Sequence, residues 1–266
     1  MIELQSHSVV SDGQLPPAGV VEEAAKAGVE VLALTDHDGV AGVPEAIEAG
    51  ERLGVEIVPA VEMSSVHEYA EDLHICGYWI DVEKMRPACE RAQEERRERA
   101  REIIGNLREH GFDLTFEDAV REAGAADAIG RPHIAKAAGA TGNLGPFFEE
   151  WLGPGAFVSR RWPDANEACA LIREAGGVPV IAHPYWDVKV PEQVEELIRA
   201  LDIGGIEVFY PSHTRAQTEH LLRLAEELGV TATGSSDYHG PTHKTFSRFG
   251  AYQTYDLGRP EVPPRP

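Results

Sequence analysis

The chain has 266 residues, of which 42% are hydrophobic, and this length suits one α/β barrel or two modest domains with a proper core. Its formal net charge of −21 argues against a broad phosphate-tracking surface for long duplex nucleic acid. The apolar residues occur in short runs, so we expect no transmembrane helix and no membrane partner. A small anionic substrate is still compatible, because a few Arg side chains and bound cations can reverse the field inside one cleft.

The N-terminal sequence and the cysteine content indicate the cellular compartment of the protein. "MIELQSHS" lacks a basic region followed by an apolar core, so we expect no signal peptide. Cys76, Cys89 and Cys169 are too few and too separated for a disulfide framework or a Cys-x-x-Cys zinc site. We therefore predict a cytoplasmic protein.

Strand and helix patterns alternate in two parts of the chain, up to about residue 80 and again from about residue 160. The predicted strands are "VEVLALT", "VEIVPAV", "LHICGYWI", "VPVIAH", "GIEVFY" and "VTATGSS". The predicted helices are "VVEEAAKAG", "PEAIEAGERLG", "DANEACALIREAGG", "PEQVEELIRAL" and "RAQTEHLLRLAEELG". Gly28 and Gly54 stand at expected helix C-caps. This alternation predicts βα units and a parallel sheet.

Between these parts the pattern is helical. "EKMRPACERAQEERRERAREIIGNLREHG" predicts one long charged helix, followed by shorter helices at "TFEDAVREAG", "RPHIAKAAG" and "PFFEEWLG". We predict a discontinuous barrel domain, residues 1–80 and 160–258, interrupted by a helical insertion or cap domain, residues 81–159.

Imidazoles and carboxylates follow the predicted strands. In a parallel α/β fold the carboxyl ends of the strands meet at one face, so these side chains should converge. Without cations such a cluster would be repulsive and poorly solvated, which indicates bound metal. Mixed nitrogen and oxygen donors suit zinc, manganese or iron, and about eight donors suit two or three ions, which activate water and bind the oxygens of a transferring group. The residues concerned are His7, Asp12, Asp36, His37, Glu62, His74, His183, Asp237 and His239.

Six motifs carry a resemblance to the PHP (polymerase and histidinol phosphatase) family of phosphoesterases. They are "SHSVVSDG", "LALTDHDG", "VPAVEMS", "LHICGYW", "VIAHP" and "TGSSDYHG". The resemblance implies a distorted (β/α)7 barrel holding up to three divalent ions. It also implies that Glu62 bridges ions, that Asp36 orients a ligand beside the catalytic centre, and that the metal ligands are His7, Asp12, His37, Glu62, His74, His183, Asp237 and His239.

The first motif departs from the family pattern Asp-x-His-x-His-Ser. Glu3 stands in place of the Asp, and Gln5 stands in place of the first His. An amide oxygen is a weaker donor than an imidazole, so the ion served by Gln5 and His7 should bind less tightly or be absent. Either catalysis continues, with Gln5 or a water as ligand, or the protein is a degenerate nucleotide binder that does not hydrolyse its ligand.

The insertion ending in "GRPHIAK" resembles the PHP branch that acts on nucleotides. Members of that branch remove the 3′-phosphate of nucleoside 3′,5′-bisphosphates, and some trim short 5′-phosphorylated RNA. We therefore predict a metal-dependent phosphatase or phosphodiesterase for such substrates. A histidinol-phosphate-like monoester is the alternative substrate.

Four residues are candidates to contact the substrate. Arg131 lies in a Gly-Arg-Pro turn that can present a guanidinium fork to a phosphate, and His133 and Arg99 are predicted to join it. Arg99 also fits a solvated helix face with i,i+4 ion pairs. His213 follows a predicted strand, and the resemblance suggests that it contacts the substrate or protonates the leaving oxygen; a surface role before a helix is the alternative.

Overall fold

The computed structural model describes residues 1–124, 126, 129–142, 144–152, 158–186 and 188–266. The strands are Ile2–Glu3 (β1), Val31–Leu34 (β2), Glu56–His67 (β3), Ala70–Tyr78 (β4), Val178–Ile181 (β5), Gly205–Phe209 (β6) and Thr231–Gly234 (β7). The helices are Pro17–Lys26 (α1), Val43–Leu53 (α2), Val82–Glu109 (α3), Phe116–Ala123 (α4), Arg131–Ala137 (α5), Gly145–Phe147 (α6), Ala165–Glu174 (α7), Pro191–Ala200 (α8) and Arg215–Leu228 (α9). After α6 the chain continues as a π-helical turn, Phe148–Leu152.

The seven strands form one sheet in the order in which they occur along the chain. A parallel bridge between Ser6 and Tyr238 joins the segments that follow β1 and β7, and the His7 amide donates to the Tyr238 carbonyl over 2.8 Å. The sheet is thereby nearly closed, which confirms the predicted distorted (β/α)7 barrel.

Strand β4 is an exception to the predicted parallel sheet. It pairs antiparallel with both β3 and β5, whereas the pairs β1–β2, β2–β3, β5–β6 and β6–β7 are parallel. The prediction of parallel order was wrong here because only Glu68 and Tyr69 separate β3 from β4. A connection this short makes a hairpin, whereas a parallel crossover needs about a dozen residues or more.

The two faces of the sheet divide its apolar residues. Small and medium side chains, including Leu4, Ala60 and Val180, form one buried cluster on the inner face. On the outer face, residues such as Met63 and Ile75 pack with the surrounding helices in a larger cluster. Cys76 belongs to the inner cluster, as expected for a small buried hydrophobe.

Helix α3 spans the boundary between the barrel and the predicted insertion. Its first half contributes Met85, Cys89 and Ala92 to the outer core of the barrel. Its second half packs with α4 and α5 through a separate cluster that contains Ile103 and Ile104. The predicted helices between residues 81 and 159 are present, although Gly153, at the end of "PFFEEWLG", lies outside the described residues. The division into two domains stays a prediction.

Among the described helices, none combines the length and the apolar character needed to cross a membrane.

Two glycine substitutions test the close packing at the end of β7. A Cβ on Gly234 would lie 2.5 Å from the Phe209 Cβ and 2.6 Å from its carbonyl oxygen. We expect Gly234→Ala to lower the free energy of unfolding by about 1–3 kcal/mol, measured by urea denaturation, because the neighbouring strand must move.

Gly105 is the matched control. It lies in the interior of α3, and among the described residues a Cβ there would meet no atom within 4 Å outside the neighbouring turns of the helix. Gly105→Ala should raise the free energy of unfolding by about 0.5–1 kcal/mol through helix propensity. Equal effects of the two substitutions would contradict the packing described for β7.

Candidate metal centre

The ends of the strands bring the predicted ligands to one mouth of the barrel. The predicted ligands His183 and Asp237, which follow β5 and β7, have positive φ angles of 27° and 54°, and so does Asp38 after β2 (49°), which was not among the predicted ligands. Non-glycine residues rarely adopt this backbone conformation, and it is concentrated at functional sites.

Strand β4 reaches the same mouth from the opposite direction. Its residue His74 pairs with Ser64, two residues beyond Glu62, so the side chains of Glu62 and His74 lie on one face of the sheet. Because of this register, an antiparallel strand supplies an imidazole from within the strand rather than from the loop after its carboxyl end.

Glu62 lies at the centre of the cluster and is fully buried. Its Oε1 is 2.9 Å from His74 Nδ1 and 3.2 Å from His183 Nε2. Its Oε2 is 3.1 Å from His7 Nε2 and 3.5 Å from His37 Nδ1. One carboxylate therefore contacts imidazoles from four different segments of the barrel.

Asp237 and Asp12 extend the cluster to either side. His7 Nε2 lies 3.1 Å from Asp237 Oδ1, and His239 Nε2 lies 3.5 Å from Asp12 Oδ1. Asp12 Oδ2 is also 3.8 Å from His37 Nε2. Each of three overlapping groups of described residues offers ligand atoms within 4.8 Å of one another. The groups are His7, Asp12, His37 and His239; His37, Glu62 and His74; and His7, Glu62 and Asp237.

The electrostatics of this cluster are strongly coupled. Burial would raise the pKa of Glu62, but the charges of His37 and His74, the hydrogen bond from His183 and the nearby His7 imidazole hold that pKa well below its ordinary value. Burial lowers the pKa of His37 to about 4. Burial would also lower the pKa of His7, but Asp237 and Glu62 raise it well above its ordinary value.

Several buried polar atoms in the cluster fit metal ions. Within the described part of the chain, His7 Nε2, His37 Nδ1, Glu62 Oε2 and Asp237 Oδ1 are buried without a hydrogen-bond partner. Leaving such groups unsatisfied is costly, and divalent cations compensate for it. Imidazole nitrogens mixed with carboxylate oxygens suit zinc, manganese or iron. The residues present therefore fit the metal ions that the motifs imply.

Gln5 is fully buried, and the described residues offer no hydrogen bond to either its amide oxygen or its amide nitrogen. An amide that faced only protein would normally be paired. An oxygen ligand role for Gln5 therefore remains compatible with its surroundings.

Buried carboxylates outside the predicted ligand set hold the ligand-bearing loops. Asp36 accepts hydrogen bonds from the Ser8 amide (2.7 Å), the Ser8 hydroxyl (2.7 Å) and the Ser11 hydroxyl (2.8 Å). Ser11 in turn lies 3.5 Å from His7 Nδ1. Asp36 thus contacts the loop that carries His7 and Asp12, and it reaches the imidazole through Ser11.

Glu3 and Glu207 are two further buried carboxylates that hydrogen-bond segments carrying predicted ligands. Glu3 accepts hydrogen bonds from the Ser236 amide (2.8 Å) and hydroxyl (3.0 Å), next to Asp237. Glu207 accepts a hydrogen bond from the His183 amide over 2.7 Å. Burial raises the pKa of Glu3 to about 7 and that of Glu207 to about 8.

A cleft with a cavity volume of about 150 Å³ lies between the cluster and the insertion. Three Arg side chains, from Arg96, Arg99 and Arg131, line it together with the ligand candidates Asp12, His37 and His74. Arg131 donates to Asp72 Oδ2 over 2.8 Å, and Arg99 Nε donates to the Val158 carbonyl over 3.0 Å. The cleft therefore joins a cationic wall to the metal cluster.

His133 and His213 do not line this cleft. His133 is buried, and its Nδ1 accepts the Gly130 amide hydrogen over 3.1 Å at the start of α5. His213 is also buried; its Nδ1 lies 2.9 Å from the Val208 carbonyl, which requires the proton on Nδ1 and a lone pair on Nε2. Burial lowers the pKa of His213 to about 4. Both predicted substrate roles stay predictions.

Sequence reasoning missed a second set of charged residues around the cleft. Asp38 accepts hydrogen bonds from the Ser64 amide over 2.8 Å and from Arg96, while Arg160 binds Asp72 and Glu95. Helical spacing carried a signal for Arg96, since it lies three residues before Arg99 on one helix face. Asp72 carried one too, because it lies two residues before His74 and so on the same strand face.

Comparison with known proteins identifies the family. A model of the PHP domain matches residues 3–127. The chain is 34% identical over 249 residues to a 5′-3′ exoribonuclease of Haemophilus influenzae, covering 90% of each chain. It is also 34% identical over 250 residues to a 3′,5′-nucleoside bisphosphate phosphatase of Chromobacterium violaceum, covering 90% of this chain and 87% of the relative.

A third relative carries a different name. A phosphoribosyl 1,2-cyclic phosphate 1,2-diphosphodiesterase of Eggerthella lenta is 34% identical over 256 residues, with 90% of this chain and 95% of the relative covered. The chain belongs to the PHP family of metal-dependent phosphoesterases, as its motifs predicted, and its hydrolase class is that of these relatives.

Solved structures agree with this assignment. An amidohydrolase from Chromobacterium violaceum with bound sulfate superimposes with a TM-score of 0.85 at 32% identity, covering 97% of this chain and 93% of that one. A putative metal-dependent phosphoesterase from Bifidobacterium adolescentis gives a TM-score of 0.82 at 28% identity, covering 96% and 93%.

Thermal unfolding with and without manganese tests whether the cluster binds metal. Manganese at about 100 times its dissociation constant should raise the melting temperature by roughly 5–10 °C, because one bound ion then contributes about 2.7 kcal/mol. Glu62→Gln should lose most of this shift. Glu219→Gln, an exposed change on α9, should keep it. Equal shifts in both variants would contradict the assignment of Glu62.

Proposed function

We propose that this chain is a phosphoesterase dependent on two or three manganese, iron or zinc ions, and that it removes the 3′-phosphate of nucleoside 3′,5′-bisphosphates or trims short 5′-phosphorylated oligonucleotides. The observation that carries the proposal is the junction of the imidazole–carboxylate cluster with an Arg-lined cleft. The metal cluster alone would suit many hydrolases. The Arg side chains of the adjoining cleft add a cationic surface, which suits a substrate that carries a second phosphate.

The proposed ligands are the eight residues of the motifs, with Gln5 as a further oxygen donor and Glu62 as the shared carboxylate. The overlap of three ligand groups at His7, His37 and Glu62 supports more than one ion. When bound, such ions neutralise phosphoryl charge and supply a nucleophilic water at neutral pH. The proposed ligands are His7, Asp12, His37, Glu62, His74, His183, Asp237 and His239.

Arg131 and Arg99 are the proposed contacts for the second phosphate. Asp72 holds one nitrogen of the Arg131 guanidinium, which leaves the fork pre-oriented for a charge-assisted contact. Arg99 is largely buried, and burial lowers its pKa to about 10, so it stays charged at neutral pH. Arg96, which also lines the cleft, is held by Asp38 and the Ser64 hydroxyl.

The proposed role of Asp36 is to position the loop that carries His7 and Asp12, through Ser8 and Ser11. His133 is proposed to fix the start of α5 and thereby the direction of Arg131. His213 is proposed to offer the lone pair of its Nε2 to a donor on the substrate side, because its Nδ1 proton is held by Val208. Residues 81–159 are proposed to act as a cap domain over residues 1–80 and 160–258.

The contrast between two substrates tests the role of Arg131. We expect Arg131→Ala to lower kcat/KM for adenosine 3′,5′-bisphosphate by about 10- to 100-fold, because a hydrogen bond to a charged group contributes about 1.5–3 kcal/mol. The loss on adenosine 3′-monophosphate should be several-fold smaller, since that compound lacks the 5′-phosphate. Phosphate release is the readout.

Arg121→Ala is the matched control, because Arg121 is exposed on α4 and pairs with Asp118 away from the cleft. It should leave both substrates unchanged. Equal losses on both substrates in Arg131→Ala would contradict the account of the insertion.

A degenerate binder is the rival, motivated by the buried amide of Gln5. Under that hypothesis Gln5→His should sharply raise the number of ions per chain and create phosphate release. Under the proposed function, metal content and activity should change little.

A further inference from the structure

A group of aromatic side chains adjoins the metal cluster at His183 and His239, two imidazoles that do not line the cleft. We define Trp186, Phe246 and His243 as the aromatic ledge. Trp186 and Phe246 have ring centroids 5.9 Å apart, and Phe246 stacks on His243 at 5.4 Å with an interplanar angle of 11°. None of the three lines the Arg-rich cleft.

Ring contacts fix where the ledge lies. Trp186 is 6.4 Å from the ring of His183, and Phe246 is 5.5 Å from the ring of His239. The cleft instead touches His37 and His74. The imidazole rings run from His239 through His37 to His74 and His183 in neighbouring contacts, so the ledge and the cleft adjoin different imidazoles of one continuous cluster.

Trp186 is held in place and yet exposed. Its amide donates to the His183 carbonyl over 2.7 Å, and its ring contacts Tyr210 at 6.2 Å. The side chain is nevertheless 45% exposed, and no other Phe, Tyr or Trp among the described residues is as exposed. A fixed, open indole beside a phosphoester site presents a face on which a planar ring can stack.

The chain segment between Asp237 and Asp256, which carries two of the three ledge residues, is free of acidic side chains. Residues 238–255 contain no Asp or Glu in a protein that has 45 of them, and the segment includes His243 and Phe246 of the ledge. Lys244 and Arg248 of this segment are exposed. At the ledge itself, Lys189 Nζ lies 6.0 Å from the centroid of the Trp186 ring. An open aromatic ring with a cation beside it is an arrangement that binds single-stranded nucleic acid, through stacking and backbone contacts.

We propose that the aromatic ledge is the subsite that binds the nucleobase on the 3′ side of the scissile phosphate when the substrate is a 5′-phosphorylated oligonucleotide. This inference rests on the proposed function. A nucleoside 3′,5′-bisphosphate occupies the cleft and the metal cluster only. A dinucleotide carries a second nucleoside as well, and the ledge, at imidazoles that the cleft does not use, is the proposed site for its base.

The reaction is the same in both cases. Water adds a hydroxyl oxygen to the phosphorus, the bond from phosphorus to O3′ breaks, and O3′ takes the remaining proton. A bisphosphate then gives a nucleoside 5′-phosphate and inorganic phosphate. A 5′-phosphorylated dinucleotide gives two nucleoside 5′-phosphates, because the phosphate stays on the second nucleoside.

The first test compares substrates with and without the second base, using manganese-loaded full-length protein. The substrates are adenosine 3′,5′-bisphosphate, the dinucleotide pApA, and a pApA analogue that lacks the second base. We expect Trp186→Ala to lower the ratio of kcat/KM for pApA to that for the bisphosphate by about 5- to 150-fold, since base–aromatic stacking is worth about 1–3 kcal/mol. The abasic analogue should show no such change.

Two further variants serve as controls. Trp186→Phe keeps a ring and should retain most of the ratio. Val190→Ala removes an apolar side chain that is also 45% exposed, four residues further along the chain, and should leave the ratio unchanged. If Trp186→Ala alters both substrates equally, or if Val190→Ala has the same effect, the ledge is not a base-binding subsite.

A binding readout separates failure of the ledge from failure of the proposed function. In pApA with 2-aminopurine as its second base, stacking should quench the fluorescence on mixing, before any cleavage. The quench should persist in Trp186→Phe and vanish in Trp186→Ala. No quench with the wild-type protein overturns the ledge, whatever the activity. Absence of phosphate release from the bisphosphate, with the quench intact, overturns the proposed function and leaves the ledge standing.

Discussion

The burial of Glu62 among four imidazoles is the constraint on which the rest of the structure depends. Glu62 has no exposed surface, and its carboxylate lies within 3.5 Å of nitrogens from His7, His37, His74 and His183. Protons alone cannot satisfy this group, since His7 also faces Asp12 and Asp237 and His37 also faces Asp12. Divalent cations resolve this conflict. The surrounding carboxylates of Asp36, Glu207 and Glu3 position the ligands. Each accepts a hydrogen bond from a segment that carries a proposed ligand, and so keeps that ligand in place when the cations are bound.

Most of the fold follows from the sequence because hydrophobic periodicity and capping glycines are local. Helices such as α3, and strands such as β2 and β6, are found where their patterns predicted them. The direction of β4 was not predictable in the same way. Its apolar pattern is compatible with parallel or antiparallel pairing. The two-residue connection after His67 forces the antiparallel pairing, but its sequence lacks an obvious turn signature.

The candidate site likewise contains residues that local sequence patterns predict and residues whose roles depend on contacts between distant segments. Residues such as His37 and Asp237 stand in motifs at strand ends, so the sequence could predict that they converge. The partnership of Asp38 with Arg96, 58 residues apart, depends on how α3 crosses the barrel mouth, and no local pattern encodes that crossing. The role proposed for Trp186 was equally unpredictable from the sequence, since a single Trp after a strand resembles a core residue until its exposure is known.

The central claim is that the cluster and the cleft together hydrolyse a phosphoester of a nucleotide with a second phosphate. The most direct measurement is phosphate release by manganese-loaded protein from adenosine 3′,5′-bisphosphate, AMP, histidinol phosphate and a short 5′-phosphorylated RNA, with the RNA products also analysed for trimming. The account predicts preferential release from the bisphosphate, with AMP and histidinol phosphate much slower. Preference for histidinol phosphate, or silence on every compound while nucleotide still binds, would contradict it.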